Sequence, residues 1–203
     1  MPAKRRYSAL AIALHWLIAL AMIANIIGGL TLGWFLGSSD SALKAQGQIN
    51  LGLHKSLGLA IIIVTIFRLG WRLANPPPAL PVHMTRLERR LAQISHATFY
   101  GPMVVLPLSG WALASTRRAA IGWFGLFDVP HLPIAASQRG LLGEGHELLG
   151  QTMVALFALH LFAVMRHQVF DRENAISRML PAIPQRKTLP AQPVVIRTFY
   201  RQG

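Results

Sequence analysis

The sequence predicts an all-α integral membrane protein built as a four-helix bundle, and three observations carry that expectation. The 203 residues are 53% hydrophobic and only 13% charged, with a mean hydropathy of +0.42. A soluble domain of this size would disperse charges over its surface, so the composition belongs to the membrane class. Next, the chain contains four long apolar runs, each a candidate for the ~20 residues that cross a bilayer. Finally, the cations are sorted. Lys44, Lys55, Arg117, Arg118 and Arg139 fall on one side of these runs, and the other fifteen of the 20 Lys and Arg on the opposite side. By the positive-inside rule the majority side, with both termini, is cytoplasmic.

The same rule accounts for a formal net charge of +13. That value would raise nucleic acid as a partner of a soluble protein, but here the partner it implies is the lipid bilayer. The chain has no cysteine. Structural disulfides, thiolate-held iron–sulfur clusters, covalent c-type haem attachment and Cys-based zinc sites are therefore excluded.

Helix 1 follows Lys4, Arg5 and Arg6 and fills the uncharged run from Tyr7 to Ser39. It is too long for the apolar core of a signal peptide and carries His15 and Asn25, so it reads as a retained span. A polar loop from Ser38 to Asn50 leads to helix 2, about Leu51 to Leu73. Only twelve uncharged residues, Ser56 to Phe67, separate Lys55 from Arg68 there. This helix spans only if both cations snorkel or meet an anion inside the bundle. Asn75-Pro76-Pro77-Pro78 ends it, and a loop with Arg86, Arg89 and Arg90 follows. Helix 3 runs from about Leu91 to Thr116, with kinks expected at Pro102 and Pro107. The connection Arg117 to Glu144 carries Trp123-Phe124-Gly125-Leu126-Phe127, a patch expected in the interface plane, where it could cap the bundle. Helix 4 spans about Gly145 to Met165. Residues 1–180 are expected to form one transmembrane domain, and 181–203 a basic, poorly ordered cytoplasmic tail.

Histidines give the bundle its chemistry. His146 and His160 lie fourteen residues apart on helix 4. That spacing is about 21 Å and nearly four turns, so both imidazoles leave one face at opposite depths. His15 on helix 1 matches the inner depth of His160, and His54 on helix 2 the outer depth of His146. An imidazole inside a membrane is costly unless it is satisfied, and four in two depth-matched pairs point to function. Neutral imidazoles from facing helices are how a bundle grips b-type haem, so two haems with axial pairs His15/His160 and His54/His146 are expected. Any single one of the four could instead be a hydrogen-bonded packing residue. A zinc or copper site would want closer ligands.

Gly58 and Gly150, each four residues after an outer histidine, remove a side chain where a flat macrocycle would lie. Either glycine is also explained as a helix-packing contact. Arg68, fourteen residues after His54, is expected to pair with an inner haem propionate. His96, with Tyr100 one turn on, either bonds near the inner haem or a quinone or is an interfacial histidine.

The set formed by Arg6-Tyr7-Ser8, His15-Trp16, His54-Lys55-Ser56-Leu57-Gly58 with Arg68, His96 to Tyr100, Pro107-Leu108-Ser109-Gly110, and His146-Glu147 with His160 resembles the bacterial di-haem cytochrome b-561 family over about residues 6 to 181. The resemblance implies an inner-membrane four-helix bundle with two b haems, which carries electrons between the periplasmic side and the quinone pool. At least one member similar to this chain passes the electron taken from superoxide to ubiquinone. Lys55, Arg117 and Arg118 form an outer basic cluster that could steer such an anion. Lys55 is equally explained as a partner of a propionate or an anionic lipid. Three functions stand at this point: a superoxide:quinone oxidoreductase, a haem-bearing anchor or relay for a partner dehydrogenase or redox protein, and a haem-free bundle in which the histidines only pack.

Overall fold

A computed structural model describes residues 7–78, 86–169 and 179. Four long helices run in chain order: α1 Ala9–Gly37, α2 Ser41–Ala74, α3 Arg86–Ser115 and α4 Arg139–Val169. All four contain stretches long and apolar enough to cross a membrane. Backbone packing follows chain order, α1 on α2, α2 on α3 and α3 on α4. The expected tail 181–203 and the domain limit at 180 lie outside the described residues.

The helix ends correct several boundaries. α2 starts at Ser41 rather than near Leu51, because Asp40 caps it, accepting from the amides of Ala42 and Leu43 at 2.7 and 3.3 Å. An aspartate that satisfies two orphan amides lets a polar segment continue the helix beyond the bilayer. At 34 residues, α2 is about 51 Å long and overshoots a ~30 Å hydrocarbon core. The short uncharged window of helix 2 is thus the middle of a long rod. Likewise Arg86, Arg89 and Arg90 are the opening turns of α3 and not a loop, and α4 begins at Arg139, before Gly145. α3 continues as helix through Pro102 and Pro107. At the inner end of α1, the Ser8 hydroxyl accepts from the Ala11 amide at 3.2 Å.

The connection between α3 and α4 folds into a small hairpin, β1 Gly122–Trp123 and β2 Phe127–Asp128, paired antiparallel. Three residues, Phe124 to Leu126, join the strands; the Leu126 amide donates to the Trp123 carbonyl at 3.0 Å, and the two central residues of that tight turn, Phe124 and Gly125, take φ of 49° and 73°. Glycine accepts that backbone freely and phenylalanine does not. Ser56 of α2, 2% exposed, holds the tip: its hydroxyl accepts from the Phe124 amide at 2.9 Å. The patch around Trp123 therefore caps α2, as well as presenting exposed Phe124, Leu126 and Phe127.

The bundle core is a thin belt at mid-depth, made of Ile18, Met22, Ile61, Met103 and Met153. Four of its five members lie seven residues from the functional positions: Met22 follows His15 by seven, Ile61 follows His54, Met103 follows His96, and Met153 follows His146. Seven residues are almost two turns, so each belt residue shares its helix face with the groups above and below it. Another seven residues bring the chain to Gly29, Arg68, Gly110 and His160. The bundle thus has one level of Gly29, His54, Gly110 and His146, called outer after the side that the cation bias of the sequence assigns it, the apolar belt, and a second level of His15, Arg68, His96 and His160, called inner on the same basis.

Candidate haem-binding site

At the outer level the two histidines meet. The ring centres of His54 and His146 are 6.1 Å apart, with the planes at 89°. A metal–imidazole bond of about 2 Å on each side of one iron, plus about 1 Å from nitrogen to ring centre, gives axial imidazoles a separation of about 6 Å. The observed spacing matches what two imidazoles on either side of one metal ion would show.

Their tautomers are set by what holds them. His54 Nδ1 lies 3.1 Å from the carbonyl of Asn25. A carbonyl only accepts, so Nδ1 carries the proton and the Nε2 lone pair is free. His146 Nδ1 lies 2.9 Å from the Ser109 hydroxyl, which donates its one hydrogen to the Leu106 carbonyl at 2.7 Å. The serine oxygen must then accept from Nδ1, and His146 also presents Nε2. This is how imidazoles that ligate metals are normally oriented.

Each ring also needs room against the opposite helix, and a glycine supplies it. A Cβ at Gly29 would come within 3.0 Å of His54 Cε1, and one at Gly110 within 2.9 Å of His146 Cε1. The Gly110 contact is closer than side chains tolerate and the Gly29 contact is tight enough that the ring would have to shift, so each imidazole sets its Cε1 edge close against a glycine. Gly29 and the Asn25 carbonyl were not singled out in the sequence reading, and Ser109 and Gly110 entered it only within the Pro107–Gly110 motif, with no role toward a histidine. The available signal was the seven-residue offset of Gly29 and Gly110 from Met22 and Met103. Gly58 has a different place: its missing Cβ faces Pro107 at 3.6 Å and Asn25 at 3.7 Å, so its small size serves helix packing. Gly150 opens onto space with no atom within 4 Å of a Cβ.

The inner level is organised by charge. Arg68 Nη2 donates to His15 Nδ1 at 3.3 Å, where a propionate was the expected partner. The other groups facing Arg68 are Tyr100, Arg72 and Tyr7, none of them an acid in its carboxylate form. Arg72 lies over the Tyr100 ring, 5.9 Å from its centre. The Tyr100 hydroxyl is buried with no hydrogen-bond partner. A buried hydroxyl donor and two guanidiniums match the carboxylates at the edge of a haem. His15, Arg68 and Arg72 line one cleft with Tyr7, Trp71 and Met179. Trp16 ties that cleft's rim together, donating from Nε1 to the Met179 carbonyl at 2.6 Å. His160 stands edge-on to Phe99, with ring centres 5.5 Å apart. His96 belongs to α3 by its backbone, and its side chain lies outside the described residues.

Lys55 points away from the imidazoles. It lines an outer cleft between α2 and the hairpin with Gln48, Gly52, Ser56 and Phe124, within electrostatic reach of Arg117. Among the described residues, no group of three or more His, Asp or Glu side chains forms a conventional metal cluster. A bis-imidazole centre requires only two.

A family model for prokaryotic cytochrome b561 matches residues 6–182. Cytochrome b561 homolog 2 of Escherichia coli K12 is 29% identical over 179 residues, covering 86% of this chain and 91% of that protein. A Yersinia pestis protein named probable superoxide oxidase CybB is 27% identical over 178 residues, covering 87% and 97%. Cytochrome b561 homolog 1 of E. coli K12 is 27% identical over 179 residues, covering 87% and 97%. A helical bundle able to span the membrane, paired imidazoles at its outer level and a family match over most of its length agree: the chain belongs to the prokaryotic cytochrome b561 family of membrane electron-transfer proteins.

Proposed function

We propose that this chain carries two b-type haems, one between His54 and His146 and one between His15 and His160, and moves electrons from superoxide on the outer side to ubiquinone. The observation that carries the reading is the 6.1 Å separation of His54 and His146, with both Nδ1 atoms engaged by acceptors. Bound there, haem supplies a reversible one-electron iron couple, and two protein ligands leave the iron closed to oxygen. His54 and His146 hold their ring planes through Asn25 and Ser109, and Gly29 and Gly110 let them approach. At the inner level His15 and His160 supply imidazoles, while Arg68 and Arg72 neutralise carboxylates. Gly150 leaves space open beside the outer pair.

The reaction balances simply. Two superoxide anions each lose one electron and leave as O₂, and ubiquinone takes the two electrons and two protons to become quinol. Superoxide as donor is supported by the name of the Yersinia relative and by the outer cations. Lys55 lines the hairpin cleft within electrostatic reach of Arg117, and two cations so placed attract a small anion. The cation bias places both termini in the cytoplasm and the hairpin outside.

A second reading has its own observation. Leu126 and Phe127 at the hairpin tip are 73% and 58% exposed, a surface that also suits a partner redox protein feeding a relay with no substrate of its own. One experiment separates the two: an anaerobic reduced-minus-oxidised spectrum of the purified protein with haem quantified per chain, followed by superoxide with and without a ubiquinone analogue. Rapid reduction of two low-spin b haems by superoxide, with electrons reaching quinone, is the expected result. Haems reduced by dithionite or quinol but unresponsive to superoxide would establish the relay.

A further inference from the structure

We propose that Ser109 is the positioning residue that sets the electron affinity of the outer haem, acting through His146. The proposal rests on the reading of His54 and His146 as axial ligands and goes beyond it by assigning control to a residue that never touches iron.

A backbone carbonyl stands by each outer imidazole, Asn25 by His54 and Leu106 by His146, but only His146 has a side-chain hydroxyl on its Nδ1 as well. His54 leans on the backbone carbonyl of Asn25, which no side-chain substitution removes. His146 leans on the Ser109 hydroxyl at 2.9 Å, and that hydroxyl is itself fixed by donating to Leu106 at 2.7 Å. With its hydrogen committed, the oxygen has one role toward His146: it accepts the Nδ1 proton. An acceptor at Nδ1 makes the imidazole a stronger electron donor through Nε2. A stronger donor favours the more positive, oxidised iron, so the Ser109 contact lowers the reduction potential of the outer haem.

Placement supports this role over simple packing. Ser109 immediately precedes Gly110, the residue that must lack a side chain for the His146 ring to fit. Two consecutive α3 positions therefore address one imidazole, one by contact with its nitrogen and the other by clearance at its carbon. Replacing Ser109 by threonine keeps the hydroxyl acceptor, by cysteine weakens it, and by alanine removes it and leaves only the Leu106 carbonyl near the ring.

The test is an anaerobic redox titration of the purified full chain with both haems bound, following each haem's α-band in wild type, S109A, S109C and S109T. In S109A the outer haem is expected to become easier to reduce. Its reduced-to-oxidised ratio at the wild-type midpoint should rise roughly tenfold, about 59 mV for a one-electron couple. S109C should shift in the same direction by less, S109T should stay near wild type, and the inner haem should not move. Retention of both haems in S109A with unchanged potentials overturns the proposal. If S109A loses the outer haem, S109C decides: a shift supports the proposal, and none overturns it. Loss of the outer haem from both, with S109T intact, supports it; loss from S109T as well overturns it. H146A is the control on the underlying reading. If H146A keeps both haems, the ligand assignment itself fails, whereas an unshifted S109A beside an H146A that loses one haem sinks only the role of Ser109.

Discussion

The outer and inner levels of the bundle hold their histidines in opposite ways. Outside, each imidazole faces an acceptor and a glycine, so its Nδ1 proton is fixed and its Nε2 lone pair is left without that proton. Inside, His15 Nδ1 faces a donor, Arg68, which lends it a hydrogen bond and a positive charge. An arginine cannot accept, so in that contact His15 carries its proton on Nε2. The outer level is shaped for ligation as it stands. At the inner level, iron at Nε2 requires the His15 proton to move to Nδ1 and Arg68 to turn to another acceptor. The difference shows that one motif, a histidine on each of two helices, is completed by neutral packing at one depth and by charge at the other.

The largest effects should come from the ligands themselves. H54A or H146A is expected to halve the haem per chain and leave the inner haem's potential in place, and H15A or H160A to do the converse. Loss of the same haem by H15A and H146A would break the pairing by depth. Next in size, G110A and G29A should each weaken outer haem retention by at least about tenfold, because the new methyl displaces an axial ring. G150A is expected to perturb the outer haem far less, since no protein atom opposes a methyl there; haem retained through repeated washing in detergent compares the three.

A smaller effect tests the charged level. R68Q should make the inner haem harder to reduce by about three- to tenfold in its reduced-to-oxidised ratio, since a nearby cation favours the reduced iron. R68K, which keeps the charge but not the fork, should recover part of that shift. An inner potential indifferent to R68Q would mean that Arg68 serves only to hold His15. The smallest effect concerns the hairpin. S56A should loosen its tip by about 1 kcal/mol, the net value of a typical hydrogen bond, seen as faster amide exchange around Phe124 with both haem spectra unchanged.

Most of the architecture was legible because bilayers impose a strong signal. The apolar runs around Ala9–Gly37 and Gly145–Met165 marked helices, and the depth of each histidine followed from its distance to the flanking cations. Hydropathy says nothing about helix outside the bilayer. Ser41–Asn50 and Arg86–Arg90 were therefore assigned to loops, although Asp40 was a cap in plain view. The hairpin turn was hidden for another reason: Phe124 is not a residue that favours positive φ, and only its fastening to Ser56 sustains it.

At the site, residue type was readable and partnership was not. Histidine announces itself inside a membrane. That Gly29 rather than Gly58 receives a histidine ring depends on which helix faces which, and one-dimensional spacing along α2 does not contain it. Arg68 was recognised at the correct depth, yet its hydrogen bond runs to His15, a residue 53 positions away in the chain.

The belt of Ile18, Met22, Ile61, Met103 and Met153 has an electrical consequence. It contains no titratable side chain, so it offers protons no stepping stone between the two levels, while polarisable methionine sulfurs fill it. An electron moved from one level to the other crosses about 21 Å of a ~30 Å barrier without a proton beside it. Moving one charge across the whole barrier is worth about 2.3 kcal/mol per 100 mV. Turnover should therefore feel the membrane voltage: inward flow of electrons works against a negative interior, and collapsing the voltage with an ionophore should speed it.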